Sequence, residues 1–134
     1  MNRIEKALYG VMFVIVVSVF LGLFVFEVVS FAVVSGNSML PTMEDGDNFI
    51  YSQYVEPEEG DIIVFEESGP RDRLIVHRVV EINDDEIIAQ GDNNDYVDEP
   101  IPKDSDRLKG KVISYGGWLN ELPGAVITTI HTRG

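Results

Sequence analysis

An uninterrupted apolar run near the amino terminus constrains this chain more than any other feature. No charged residue occurs in the 18 residues 9–26, and at roughly 1.5 Å per residue a helix of that length is about 27 Å long, close to the hydrocarbon core of a bilayer. The apolar region of a cleaved signal peptide, the alternative, is usually about 7–15 residues long. The run therefore predicts a transmembrane helix in the lipid bilayer within residues 1–34, followed by a domain over residues 35–134.

The charges on either side of this run predict its orientation. Arg3 and Lys6 precede it, whereas Glu44 and Asp45 follow it. Basic residues next to a membrane span remain on the cytoplasmic side. We therefore expect a single-pass protein of the cell membrane, with a cytoplasmic amino terminus and residues 35–134 outside the cytoplasm.

The net charge and the absence of cysteine argue against several classes of partner and of chemistry. The chain has 10 basic and 23 acidic residues, a net charge of −13, and the apolar amino-terminal part carries none of this excess. So acidic a surface argues against a nucleic-acid partner. The absence of cysteine excludes disulfides, thiolate metal sites and cysteine nucleophiles. The acidity suits a protein in concentrated salt, where screening removes self-repulsion; the alternative is an ordinary acidic extracytoplasmic domain, which would stay folded and active in low-salt buffer.

Residues 35–134 read as short strands separated by turns. Leu74–Ile82 is rich in β-branched residues and is followed by Asn83-Asp84-Asp85 and a second apolar stretch, which together predict a hairpin. Beyond a turn after Ser38, no segment has a helical period. We therefore predict a mainly β fold, a small antiparallel β-domain preceded by one transmembrane α-helix. The predicted strand regions are 49–55, 62–65, 74–82, 87–89, 112–115 and 125–130.

Three stretches of this domain contain residue types that can do chemistry together. The first contains Ser38, just beyond the predicted membrane exit; the second places His77 in a predicted strand. The third is an acidic loop that contains Asp92 and Asp98. A serine hydroxyl becomes a nucleophile beside a base, and the base needs an orienting group. These residues are therefore candidates for a serine nucleophile, its base and an orienting carboxylate.

Each of these residues also has a purely structural interpretation. Ser38 could cap a helical turn before Pro41, and His77 could be a packed strand residue. Asp92 and Asp98 could be turn formers in a chain rich in acidic residues. The loop that contains them could also bind calcium, although it lacks the spaced ligands and the terminal glutamate of an EF-hand. Taken singly, the residues leave these alternatives open.

Taken together, the stretches form four ordered boxes: Ser35-Gly36-Asn37-Ser38-Met39-Leu40-Pro41-Thr42, Gly60-Asp61-Ile62-Ile63-Val64-Phe65, Val76-His77-Arg78-Val79 and Gly91-Asp92-Asn93-Asn94. Their order, their spacing and the preceding apolar run resemble the type I signal peptidases. The bacterial branch of that family has a lysine where this chain has His77, so the chain is more similar to the archaeal and endoplasmic-reticulum branch. The resemblance implies a signal-peptidase-like β-fold and a serine endopeptidase that removes signal peptides from exported preproteins after small residues.

The resemblance also implies a role for each candidate residue. Ser38 would be the nucleophile and His77 the general base, and no cofactor or metal ion would be needed. Of the two aspartates that fit the family pattern, Asp98 is favoured as the residue that orients the histidine. Asp92 is expected to support the Asn93-Asn94 turn by binding its backbone amides. The substrate would bind in an extended form at a sheet edge.

The oxyanion donors are only partly assigned by the resemblance. Some bacterial relatives have a serine hydroxyl two residues before the nucleophile, where this chain has Gly36. Beside the backbone amide of Ser38, the second donor would have to be Asn37, Ser35 or another backbone amide.

Two functions from other classes remain alternatives. One is a self-cleaving repressor-like serine peptidase, which has a related β-core but uses a lysine base and carries a DNA-binding domain. The other is a non-catalytic, membrane-anchored binding module.

Many archaeal-type relatives continue into a second membrane helix, whereas the last apolar run here, residues 125–130, is too short to cross a membrane. Accessory membrane subunits and the oligomeric state are left open.

Overall fold

The amino-terminal apolar run forms a single long helix. The computed structural model describes residues 1–25, 28–70 and 73–121, and within them α1 comprises Arg3–Val25. Its stretch Arg3–Leu23 has a mean hydropathy of 2.2 and is not buried against the rest of the protein. The helix that forms the core of a soluble domain is usually covered on at least one face, whereas the described residues do not cover this one. In the described residues, α1 is the one helix that could span a membrane; a signal sequence meets the same criteria.

The described residues after α1 form one antiparallel sheet, which confirms the predicted fold class. The spatial order of its strands is β1-β2-β7-β3-β4-β5-β6. A 3-10 helix, Gly117–Glu121, follows the last strand. The strands are β1 Ser30–Val33, β2 Asn48–Ser52, β3 Ile62–Glu66, β4 Leu74–Ile82, β5 Glu86–Gln90, β6 Ile101–Pro102 and β7 Leu108–Tyr115.

The predicted hairpin is confirmed as β4 and β5, which pair from Arg78 opposite Gln90 to Ile82 opposite Ile87. The strands β1 and β6 were not predicted. The residues of β1 continue the apolar character of the preceding run, and only their pairing with β2, distant in sequence, makes them a strand. The strand β6 has two residues and no periodicity of its own. The predicted strand 125–130 lies outside the described residues.

Side chains cover both faces of the sheet, which curves into a half-barrel. In β3, Ile62 and Val64 belong to one hydrophobic cluster, whereas Ile63 and Phe65 belong to the other. The same alternation in β4 places Val76 in the first cluster and its neighbour Ile75 in the second. Successive strand residues point to opposite faces. This alternation determines where the functional side chains of β4 lie.

Candidate active site

Ser38 lies in a tight turn between β1 and β2. Within this turn the amide of Met43 donates to the carbonyl oxygen of Met39 at 2.9 Å, and the amide of Leu40 donates to that of Asn37 at 3.3 Å. The side chains of Met39 and Met43 are fully buried in the first hydrophobic cluster. These anchors hold Ser38 at a fixed place, where it is only 5% exposed.

His77 lies in β4, which has hydrogen-bonded neighbours on both sides. Its backbone is paired with Ile63 of β3, and its ring makes an edge contact with Phe65, with 6.1 Å between the ring centroids. The residue is 4% exposed. The Nε2 atom lies 3.0 Å from the Oγ of Ser38, within hydrogen-bonding distance.

Asp98 occupies the other side of the same imidazole. Its Oδ2 lies 2.5 Å from the Nδ1 of His77, and its amide donates to the carbonyl oxygen of Ala89 at the end of β5, at 2.8 Å. A carboxylate only accepts hydrogen bonds, so Nδ1 carries the proton and Nε2 presents its lone pair to the Ser38 hydroxyl. The structure thus brings Ser38, His77 and Asp98 into one hydrogen-bonded chain.

The loop after β5 can approach Ser38 and His77 closely because it begins with a glycine, Gly91. A β-carbon at Gly91 would lie 2.7 Å from the carbonyl oxygen of Ser38 and 3.0 Å from the Nε2 of His77, and real side chains do not come that close to backbone. Two residues later, Asn93 donates its amide to the Ser38 carbonyl at 2.8 Å and its side-chain nitrogen to the Asn37 carbonyl at 3.1 Å. The loop therefore holds the serine turn against β4.

Asp92 lies beside the hydrogen-bonded Ser38, His77 and Asp98, and its own side-chain hydrogen bonds are made with Arg78 and Thr42. Its carboxylate accepts hydrogen bonds from the Nε and a terminal nitrogen of Arg78, both at 2.9 Å, and from the Thr42 hydroxyl at 2.5 Å. The hydrogen bond from Arg78 is the largest cause that lowers the pKa of Asp92 below its ordinary value, and burial opposes it. The hydrogen bond to Asp92 likewise raises the pKa of Arg78.

The expected contact between Asp92 and its own turn is not found. The amide of Asn93 donates to Ser38, and that of Asn94 donates to the carbonyl oxygen of Gly91 at 2.9 Å. The carboxylate is therefore directed toward the serine turn and β4 instead. Sequence reasoning included Thr42 in the first box but gave it no role, because its partner Asp92 is 50 residues away.

Three alternatives considered above concern the oxyanion donor, a lysine base and a metal site, and the contacts of the described residues bear on each. In the described part of the chain the Ser38 amide donates no hydrogen bond, whereas the Gly36 amide donates to Asp45 at 2.7 Å. The ammonium groups of Lys109 and Lys111 pair with Glu66 and Asp61, at 3.4 and 3.2 Å. Among the residues described, no group of three His, Asp or Glu side chains is arranged to hold a metal ion.

An antiparallel half-barrel with a buried serine, a histidine and an aspartate in one hydrogen-bonded chain defines a domain of the serine-peptidase class. The family model described as Peptidase S24-like matches residues 26–113. The chain belongs to this family, and its domain is a serine peptidase domain, a hydrolase. The match begins before β1 and ends within β7, so it covers the whole site. A search among curated proteins found no match.

Proposed function

We propose that this protein is a membrane-anchored serine endopeptidase that removes amino-terminal signal peptides from exported preproteins after small residues. The observation that carries the proposal is the buried chain Ser38–His77–Asp98, with contacts of 3.0 and 2.5 Å, in a peptidase domain that follows a helix apolar enough to span a bilayer. Such a helix keeps the site close to the membrane, where a signal peptide is held after export.

The geometry supports acylation of the serine. The Ser38 Oγ attacks the carbonyl carbon of the scissile peptide bond while the Nε2 of His77 takes the hydroxyl proton. Asp98 holds the imidazole in the tautomer that can accept this proton, and its charge stabilises the imidazolium. When the tetrahedral intermediate collapses, the C–N bond breaks and Nε2 gives the proton to the leaving amine. The acyl group remains on Ser38 as an ester.

Deacylation repeats these steps with water. His77 takes a proton from the attacking water, a second tetrahedral intermediate forms, and the proton returns to the Oγ of Ser38 as the ester bond breaks. The amide of Ser38, which donates no hydrogen bond within the described part of the chain, is suited to donate to the oxyanion in both intermediates. Loss of a donor of this kind typically costs about 10²- to 10³-fold in rate.

The decisive experiment uses the full chain in detergent with a preprotein substrate. The expected result is one cut after a small residue at the end of the signal peptide, abolished in Ser38→Ala. Ser105→Ala is the matched control, because it also removes a hydroxyl, one that donates to the Pro102 carbonyl at 2.8 Å away from the site. A cut that survives Ser38→Ala would overturn the serine mechanism, and the absence of any cut by the unmodified chain would favour a binding module.

The orientation in the membrane is a separate part of the proposal. Arg3 and Lys6 support a cytoplasmic amino terminus, so protease added outside intact cells should digest the domain after residue 34. Protection of that domain in intact cells, with digestion after lysis, would reverse the orientation.

A self-cleaving peptidase is the second candidate, and the match to the Peptidase S24-like family favours it as well. Repressor-like relatives use a lysine base, whereas here the Nε2 of His77 lies at hydrogen-bonding distance from the Oγ of Ser38. Dilution separates the two functions, since self-cleavage within one chain has a rate independent of protein concentration. Cleavage of the purified chain alone at such a rate, with no cut in a preprotein, would select this second function.

A further inference from the structure

We propose that Thr42 is a positioning residue, whose hydroxyl, through Asp92 and Arg78, ties the turn of Ser38 to the strand of His77 and fixes the distance between nucleophile and base. This inference rests on the proposed serine mechanism. We name the three side chains Thr42, Asp92 and Arg78 the clasp.

The first half of the clasp holds the serine turn. Thr42 ends the tight turn that starts at Ser38, and its hydroxyl donates to the Oδ2 of Asp92 at 2.5 Å. The amide of Asp92 also points at this turn, 3.4 Å from the sulfur of Met39. A hydrogen bond to an ionised carboxylate is short and about twice as strong as one between neutral groups. The side chain of Asp92 is 17% exposed, so water competes with this contact only in part.

The second half holds the base strand. Arg78 directly follows His77 in β4, and its guanidinium binds both oxygens of Asp92 at 2.9 Å. A third nitrogen of the same group donates to the Gly60 carbonyl at 2.7 Å. Paired guanidinium–carboxylate contacts fix direction as well as distance. Because β4 has hydrogen-bonded neighbours on both sides, Arg78 gives the clasp a rigid end.

The clasp matters because the distance between the Ser38 hydroxyl and the His77 base must fall within a narrow range. A general base must lie within about 2.6–3.2 Å of the atom it deprotonates, and the Oγ of Ser38 lies 3.0 Å from Nε2. Ser38 belongs to a turn and His77 to a strand, so their separation is set by contacts between these two elements. The backbone contact from Asn93, in the loop after β5, to Ser38 holds one of these elements. The clasp joins the turn to the strand by side chains, with Asp92 of the same loop between Thr42 and Arg78.

The test observes the Ser38–His77 hydrogen bond itself. The chain contains two histidines, His77 and His131, so histidine-selective ¹⁵N labelling of the full chain in detergent gives a simple spectrum with His131 as an internal reference. Ser38→Ala supplies the Nε2 resonance of His77 without its hydroxyl donor. We expect Thr42→Val to move the resonance toward that value and Thr42→Ser, which keeps the hydroxyl, to restore it.

Arg78→Lys, which removes the paired contact from the other end of the clasp, should move the resonance in the same direction, and it decides the question if Thr42→Val does not fold. In the preprotein assay, Thr42→Val should lower kcat by about 10- to 100-fold, because small displacements of reacting groups cost up to about 10²-fold, while KM stays unchanged.

Ser105→Ala provides the control, a lost surface hydroxyl that leaves the Nε2 resonance in place. If Thr42→Val lowers Tm but, like this control, leaves the Nε2 resonance of His77 in place, Thr42 is merely structural and the inference is overturned. If the unmodified chain cleaves no preprotein, the proposed function fails, yet the resonances still decide the role of the clasp because they require no turnover.

Discussion

Asp92 and Asp98 lie six residues apart in one loop, but their carboxylates bind neighbouring residues on opposite faces of β4. Asp98 accepts a hydrogen bond from His77, whose side chain shares a face with the buried Ile75 and Val79. Asp92 binds Arg78, which points to the other face. The strand alternation, rather than the loop sequence, separates the two environments.

The comparison shows how one residue type takes two roles. The pair of His77 and Asp98 is the more enclosed, with side chains 5% and 13% exposed against 32% and 17% for Arg78 and Asp92. The partner of Asp98 is an imidazole, which can hold a proton on one ring nitrogen and accept another on the second, whereas an arginine has only donors and remains charged. The first pair is therefore suited to proton transfer and the second to holding segments together.

The largest difference between the two aspartates is expected in turnover. Asp98→Asn should give a folded chain whose kcat is lower by about 10⁴-fold, because an amide at that position favours the wrong tautomer of the imidazole. Turnover of a preprotein and the thermal unfolding midpoint, measured on the same preparation, check this expectation. A folded and inactive Asp92→Asn beside a nearly normal Asp98→Asn would exchange the two roles.

Only part of the arrangement of the two aspartates around β4 can be predicted from the sequence. The hairpin and the alternation in β4 follow from local periodicity and turn residues, so the fold class and the opposite directions of His77 and Arg78 can be predicted. The partner of each side chain cannot, because it depends on how a loop without periodicity folds back over β4. The contact between Thr42 and Asp92 and the pairing of β1 with β2 cannot be predicted for a similar reason, because each joins residues that are distant along the chain.

Gly91→Ala alters the start of the loop that contains both aspartates and should have the next largest effect. The added methyl group would lie 2.7 Å from the Ser38 carbonyl, and this backbone atom can yield only if the loop or the serine turn moves. A displacement of about 1 Å can cost about 10²-fold in rate, so we expect a loss of that size together with a lower Tm. Gly10→Ala, in an open position on α1, is the matched control. Unchanged turnover in Gly91→Ala would show that the loop does not set the geometry of the site.

Asp92→Asn should affect stability more clearly than Asp98→Asn does, and turnover far less. The substitution removes the charge that Arg78 and Thr42 share, and the loss of such contacts typically costs about 1–2 kcal/mol. For a domain of this size each kcal/mol shifts Tm by about 4–8 °C. Thermal unfolding of the two variants side by side measures the difference. An equal or larger decrease in Tm for Asp98→Asn would contradict the separation of roles.

The smallest expected effect is the pH dependence of that Tm difference, and its sign follows from the Arg78–Asp92 pair. The pKa of Asp92 is lowered in the folded chain by its hydrogen bond with Arg78, so this carboxylate stabilises the fold at pH values above the ordinary pKa of an aspartate. The contribution disappears as the pH falls through the lowered value, since folded and unfolded chains are then both protonated.

The decrease in Tm caused by Asp92→Asn should therefore be fully present near pH 7 and should shrink below about pH 4, near the reference pKa of aspartate. Thermal unfolding at fixed ionic strength measures it, because salt screens such pairs. Asp104→Asn removes one negative charge that forms no ion pair among the described residues, and it controls for the change in net charge. A Tm difference that stays constant between pH 7 and pH 3 would mean that Asp92 contributes through the shape of its side chain rather than through its charge.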